Sequence, residues 1–104
     1  MKSNFYLKVY ELCAKIPKGR VTTYKDIAQA LGIKSYQAIG QVLKRNPYAP
    51  KVPCHRVVKA DGSIGGFKGM IKGKEIDEKI AMLEKEGVKI INNKIDLEMF
   101  GFKF

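Results

Sequence analysis

Histidine occurs once in this 104-residue sequence and cysteine twice. That scarcity argues against a disulfide framework, because Cys13 and Cys54 stand far apart, each in apolar surroundings. It also leaves too few good ligands for a metal site, with His55 the one imidazole available. Both cysteines are expected as free thiols, and no metal or cofactor is expected. No apolar run reaches the length of a membrane span, and none at the N-terminus has the form of a signal peptide. The default compartment is therefore the cytoplasm, with no membrane partner. The third shortage is of acids. Residues 1–60 contain only Glu11 and Asp26 against 12 Lys and Arg, whereas residues 61–104 hold eight Lys against eight acids. The whole excess of +10 thus lies in the first 60 residues. A Lys-rich thermophilic surface would be expected to raise Glu as well. A one-sided excess points instead to a polyanion, and nucleic acid is the commonest.

What is present is an ordinary globular balance, 45% hydrophobic and 29% charged. One domain spanning residues 1–104 is expected, large enough for its own core, with neither repeat nor linker. In "NFYLKVYELCAKIPKG", Phe5, Val9, Leu12, Cys13 and Ile16 share a helical face, which gives Cys13 a packing role, and Pro17 and Gly19 end the helix. "RVTTYKDIAQALGIKSYQAIGQVLKRNP" reads as two short helices. Thr23 and Asp26 resemble a capping box, Gly32 suits the C′ position, and Ser35 caps the second helix. Ile27, Ala28 and Leu31 face inward from the first, and Ile39, Val42 and Leu43 from the second. A helical pair joined by a Gly-containing turn in the basic half resembles a helix-turn-helix, although a plain αα-hairpin has the same pattern. "NPYAPKVP" is stiff and irregular. "RVVKADGSIGGF" reads as a hairpin turning at Asp61-Gly62. Residues 74–86 read as a helix with Ile76, Ile80 and Leu83 inward and Gly87 at C′. "VKIINNKIDL" reads as a second hairpin turning at Asn92-Asn93.

The chemistry concentrates in "KVPCHRVV", where Cys54 directly precedes His55. A thiol becomes a nucleophile when its thiolate is stabilised or when a base takes its proton. Basic surroundings favour the first, and His55 is the candidate base. Neighbours in extended chain face opposite ways, so a bridging water is the expected link between them. A third group would orient the imidazole, with Glu84 and Glu86 as candidates. A buried structural Cys beside a satisfied His is the bland reading. A cysteine protease has the ingredients but sits oddly with so basic a chain.

Three blocks carry a more specific signal: "IPKGRVTTYKDIA", "RNPYAPKVPCHRVVKADGSIGGFKG" and "LEKEGV". In this order they resemble the O6-alkylguanine-DNA alkyltransferases, the methylated-DNA–protein-cysteine methyltransferases, from about Ile16 to Val88. The resemblance implies a mainly α fold with small β-hairpins, a winged helix-turn-helix-like domain that works as a monomer. Its partner would be double-stranded DNA containing O6-alkylguanine, with the damaged base flipped into a pocket. By similarity, Cys54 takes the alkyl group irreversibly, His55 acts through water as the base, Glu86 orients His55, and Asn46 braces the turn before the active-site segment. Tyr24 meets the purine, the carbonyls of Cys54 and Val57 accept from its exocyclic amine, and Phe67 and the Lys68 amide close over it. The second helix would present Tyr36, Gln37, Ala38, Gly40, Lys44 and Arg45 to DNA. Gln37 stands where the family's arginine finger is expected, and Phe67 replaces a common tyrosine. The segment "GMIKGKEIDEK" is longer than the usual connection, so Glu84 remains a rival to Glu86. The family's N-terminal domain is expected to be absent. Two other functions compete: an alkyltransferase-like protein that binds lesions without repairing them, and a helix-turn-helix regulator with a structural cysteine. Relatives of the first kind typically lack the cysteine that is present here.

Overall fold

Apolar residues recurring at helical spacing become three successive helices in the computed structural model, which describes residues 4–49, 51–67 and 70–104. Helix α1 (Asn4–Ala14) buries Val9, Tyr10 and Cys13. Helix α2 (Tyr24–Leu31) begins where the Thr23 side chain accepts from the Asp26 N–H at 3.0 Å. It ends at Gly32, whose φ of 73° suits a residue without a Cβ. Helix α3 (Tyr36–Lys44) begins where Ser35 accepts from the Ala38 N–H and buries Ile39, Val42 and Leu43. The inward faces of α1, α2 and α3 meet in one core with Val57. The expected helix-turn-helix is therefore present, packed on α1.

A second core gathers Val21, Val58, Ile64, Leu83, Val88 and Ile95. Strand β2 (Val57–Val58) is the partition between the two cores. Successive strand residues point to opposite faces, so Val57 enters the first core and Val58 the second. Both are fully buried, each contributing about 1.5–3 kcal/mol by burial. Helix α4 (Lys74–Lys85) covers the second core with Leu83 buried and Ile76 and Ile80 at its edge. Strands β3 (Ile90–Ile91) and β4 (Lys94–Ile95) form an antiparallel hairpin. Its turn is Asn92-Asn93, at φ 53° and 61°, as the pair of asparagines predicts. A short helix, α5 (Leu97–Phe100), follows, capped by Asp96; the sequence reading had no element there.

One expectation fails. The chain does turn at 59–63, where the Gly62 N–H donates to the Lys59 carbonyl and Asp61 accepts from Ser63. Yet β2 does not pair with the residues after that turn. It pairs in parallel with β1 (Thr22–Thr23), Thr22 opposite Val57 and Thr23 opposite Val58. A strand buried on both faces suits parallel pairing between two layers. The turn signal at Asp61-Gly62 carried no information about a partner so far back in the chain.

Candidate active site

Cys54, His55 and Arg56 form a single 3-10 turn, not extended chain. Pro53 precedes it, and the Arg56 N–H closes onto the Pro53 carbonyl at 2.9 Å. With about three residues per turn, successive side chains diverge widely. Divergence of Cys54 and His55 therefore survives, with a different cause from the alternation of a strand. Cys54 is half-buried and lines a cavity of about 860 Å³. His55 is buried, 2% exposed, and its Nε2 lies 2.9 Å from Glu86 Oε2.

Behind the turn, Glu86 is gripped twice more. Arg56 Nε donates to Oε1 at 2.9 Å and Nη2 to Oε2 at 2.8 Å, a bidentate pair. The remaining arm, Nη1, donates to the Ile16 carbonyl at 2.7 Å. Burial pushes the Glu86 carboxyl up, but the hydrogen bonds and charges of Arg56 and His55 outweigh it and hold the pKa at about 2. Burial pushes His55 down, against the pull of Glu86. The contact with Glu86 fixes the tautomer. An ionised carboxylate only accepts, so Nε2 carries the proton and donates it, and neutral His55 keeps its lone pair on Nδ1. Glu84 is exposed, and the contact to His55 is made by Glu86.

Asn46 holds the segment leading into the turn. Its Nδ2 donates to the Val52 carbonyl at 2.8 Å, and its Oδ1 accepts from the Tyr48 N–H at 2.9 Å. The carbonyl of Cys54 accepts from the Val57 N–H, and that of Val57 from Lys79 Nζ at 2.8 Å. Each carbonyl thus has one protein donor already and a second lone pair left.

Lys79 is wholly buried, and its Nζ also donates to the carbonyls of Ile64 at 2.5 Å and Gly66 at 3.0 Å. Burial pushes its pKa down to about 7, with the Cys54 charge opposing. Three acceptors match the three protons of an ammonium, so the geometry fits the charged form. Sequence reasoning missed both Arg56 and Lys79. Lys79 had left a trace: it falls within the apolar stripe of Ile76, Ile80 and Leu83, where a solvated lysine does not belong. Arg56 had none, because its partner lies across the fold.

The cavity is walled by Tyr24, Phe67 and the chain from Ser63 to Gly66, with Tyr36, Gln37, Gly40, Gln41 and Lys44 of α3 along its rim. Burial, with Cys54 nearby, raises the Tyr24 hydroxyl to about 12, so it is a neutral donor. A Cβ on Gly40 would meet nothing within 4 Å, which leaves the α3 backbone open to close approach. Gln41, one turn beyond Gln37, also escaped the sequence reading; that spacing alone would have found it. His55, Val57, Glu86 and Asn46 are not among the lining residues. Ala38 is half-buried at the α3 N-terminus, and Arg45 reaches away to the Tyr6 hydroxyl at 3.2 Å. Lys68 lies outside the described residues. Cys13 is buried with its thiol pushed up to about 12, which suits packing and not reaction. Among the described residues no three His, Cys, Asp or Glu side chains cluster as metal ligands, and no helix is long and apolar enough to cross a membrane.

Comparison with known proteins shows the family. Residues 4–88 match the family model of the 6-O-methylguanine DNA methyltransferase DNA-binding domain. A bifunctional methyltransferase/endonuclease from Picrophilus torridus is 42% identical over 100 residues, 95% of this chain and 32% of that protein. A methylated-DNA–protein-cysteine methyltransferase from Saccharolobus islandicus is 46% identical over 86 residues, 83% of this chain and 52% of that protein. The chain thus spans about a third to a half of the length of these relatives. Among solved structures, S. pombe Atl1 in complex with damaged DNA containing O6-carboxymethylguanine superposes with a TM-score of 0.84 at 33% identity, covering all of both chains.

Proposed function

The chain belongs to the 6-O-methylguanine DNA methyltransferase family, and on that premise we propose that it repairs duplex DNA by moving the alkyl group of O6-alkylguanine onto its own Cys54. One observation carries the reading: the thiol lines a cavity of about 860 Å³, roomy enough to admit a base, while a His55–Glu86–Arg56 chain stands directly behind it. In the proposed reaction α3 lies against the duplex, and the damaged base is flipped into the cavity. The Cys54 proton passes through water to His55 Nδ1, and Glu86 stabilises the imidazolium that forms. The sulfur then attacks the alkyl carbon. An S–C bond forms, the C–O6 bond breaks, and its electron pair leaves with the purine, which takes a proton and departs as guanine. The Tyr24 hydroxyl is placed to donate to the purine. A thioether is a poor leaving group, so each molecule reacts once. Gln37 occupies the rim without a charge, and Tyr36 beside it offers an aromatic face.

The full-length match to Atl1 on a carboxymethylated lesion favours a second reading, in which the chain binds lesions without transferring anything. Cys54 on the cavity wall weighs against it. Incubation with an O6-methylguanine duplex separates the two: transfer adds one methyl to the intact mass, located on Cys54. Cys54→Ala should keep lesion binding and show no mass gain. Lesion binding by the unmodified sequence with no methyl gained overturns transfer and leaves the second reading. Equal binding to damaged and undamaged DNA overturns both.

A further inference from the structure

One contribution to the cavity comes from beyond the residues that the family model matches. The family match ends at residue 88, yet the β3–β4 hairpin beyond it is docked on the cavity segment. The Ile64 N–H donates to the Asn93 carbonyl at 3.1 Å, the Ile95 N–H to the Gly62 carbonyl at 2.9 Å, and Ser63 bridges Lys94. Gly62 permits this approach, because a Cβ there would stand 2.5 Å from the Ile95 carbonyl oxygen. Residues 62–64 run straight into the wall that Lys79 holds, so the hairpin is hydrogen-bonded to the cavity's own backbone.

The docking puts chemistry on the rim. Asn93 is exposed and lines the cavity, and its backbone carbonyl is already used by Ile64. Its side-chain amide is both donor and acceptor, the equipment for reading a base edge or sugar. Lys94 is exposed beside it, and Lys59 lines the same cavity. Both cations act on Asp61, whose carboxylate is held by the Ser63 hydroxyl and N–H and sits below its usual pKa for that reason first. Two lysines around one acid leave a positive rim. A base that reaches Cys54 brings two flanking phosphates to that rim, and α3 faces only part of it.

We infer that the β3–β4 hairpin is a second nucleic-acid contact, in which Asn93 touches the flipped nucleotide and Lys94 with Lys59 holds a phosphate flanking it. The inference rests on the proposal that this cavity receives a flipped base. Its test is fluorescence anisotropy with a duplex carrying one O6-methylguanine and with the same duplex unmodified, across a salt series. Lys94→Gln should weaken both duplexes and lower the slope of log K against log salt by about 0.9, the worth of one phosphate. Asn93→Gly keeps the positive-φ turn and removes the amide. It should reduce the preference for the lesion by about threefold to tenfold, the worth of one hydrogen bond, and leave the unmodified duplex unchanged. Lys85→Gln, at the end of α4 and away from the cavity lining, serves as the charge control. If Lys94→Gln matches the unsubstituted protein or the Lys85→Gln control, and Asn93→Gly keeps full lesion preference, the hairpin contact is wrong. Unsubstituted protein without lesion preference would overturn the functional reading itself, a result distinguishable from failure of the hairpin alone.

Discussion

Glu86 holds both His55 and Arg56 in place. It is the acceptor that leaves His55 with a free Nδ1, and it anchors the guanidinium that ties the 3-10 turn to Ile16. Its folded pKa of about 2 lies below the ordinary 4.5. The sign follows from proton counting: the unfolded chain binds the proton more readily, so this stability is present above about pH 4.5 and drains away as pH falls toward 2. Urea midpoints measured across that window should fall, and the fall should be shallower in Glu86→Gln. At neutral pH the same variant turns an amide donor toward Arg56, with an expected loss of about 1–3 kcal/mol. Transfer should drop further than stability accounts for, while lesion binding holds. His55 titrates below its ordinary value because of burial. The transfer rate of the unsubstituted protein should therefore hold on the acid side of the usual histidine range before it declines. A rate that halves at the ordinary histidine pKa would contradict a buried base.

At the scale of elements, Lys79 ties α4 to the cavity by hydrogen bonds, beside Ile76, which lines the cavity. Lys79 joins the helix to Val57, Ile64 and Gly66, three carbonyls that would otherwise lose their donor inside the protein. Lys79→Met fills the volume but supplies no donor. It should cost about 2–5 kcal/mol in denaturant unfolding, the range for breaking a buried polar network. Single-turnover transfer should fall as well, since residues 64–66 wall the cavity. A variant with unchanged stability would mean that the carbonyls find other donors. The helices were legible in the sequence because their signals are local: Thr23 and Ser35 at the caps, Gly32 at the C-terminus, Ile39, Val42 and Leu43 at helical spacing. The Asn92-Asn93 turn was legible for the same reason. The β1–β2 pair and the Arg56–Glu86 clasp were not, because their partners meet only when distant segments fold together. Cys54 and His55 stood out as reactive types in a sequence poor in both. Where each points was set by the 3-10 turn, which extended-chain reasoning did not foresee.

The whole molecule is electrically lopsided. Its +10 comes from residues 1–60, which build α1, α2, α3 and the 3-10 turn, while residues 61–104 balance. That distribution was visible at once in the sequence; the arrangement of α3 and the hairpin around one cavity was not. Binding to duplex DNA should accordingly weaken along a straight line of log K against log salt, at about 0.9 per phosphate contacted. A flat response in anisotropy titrations would contradict a phosphate-facing surface. Val21 also has a consequence at this scale. Its N–H donates to the Phe100 carbonyl and its own carbonyl accepts from Phe102, while the next two residues pair with β2. A segment from early in the chain is thus stitched on one side to the strand that follows the 3-10 turn and on the other to residues near 101. Contacts so far apart in sequence are slow to close. The 3-10 turn, the cavity wall and the rim should therefore lose amide protection together in hydrogen exchange, and a cavity segment that exchanges well before the β1–β2 pair would contradict this coupling.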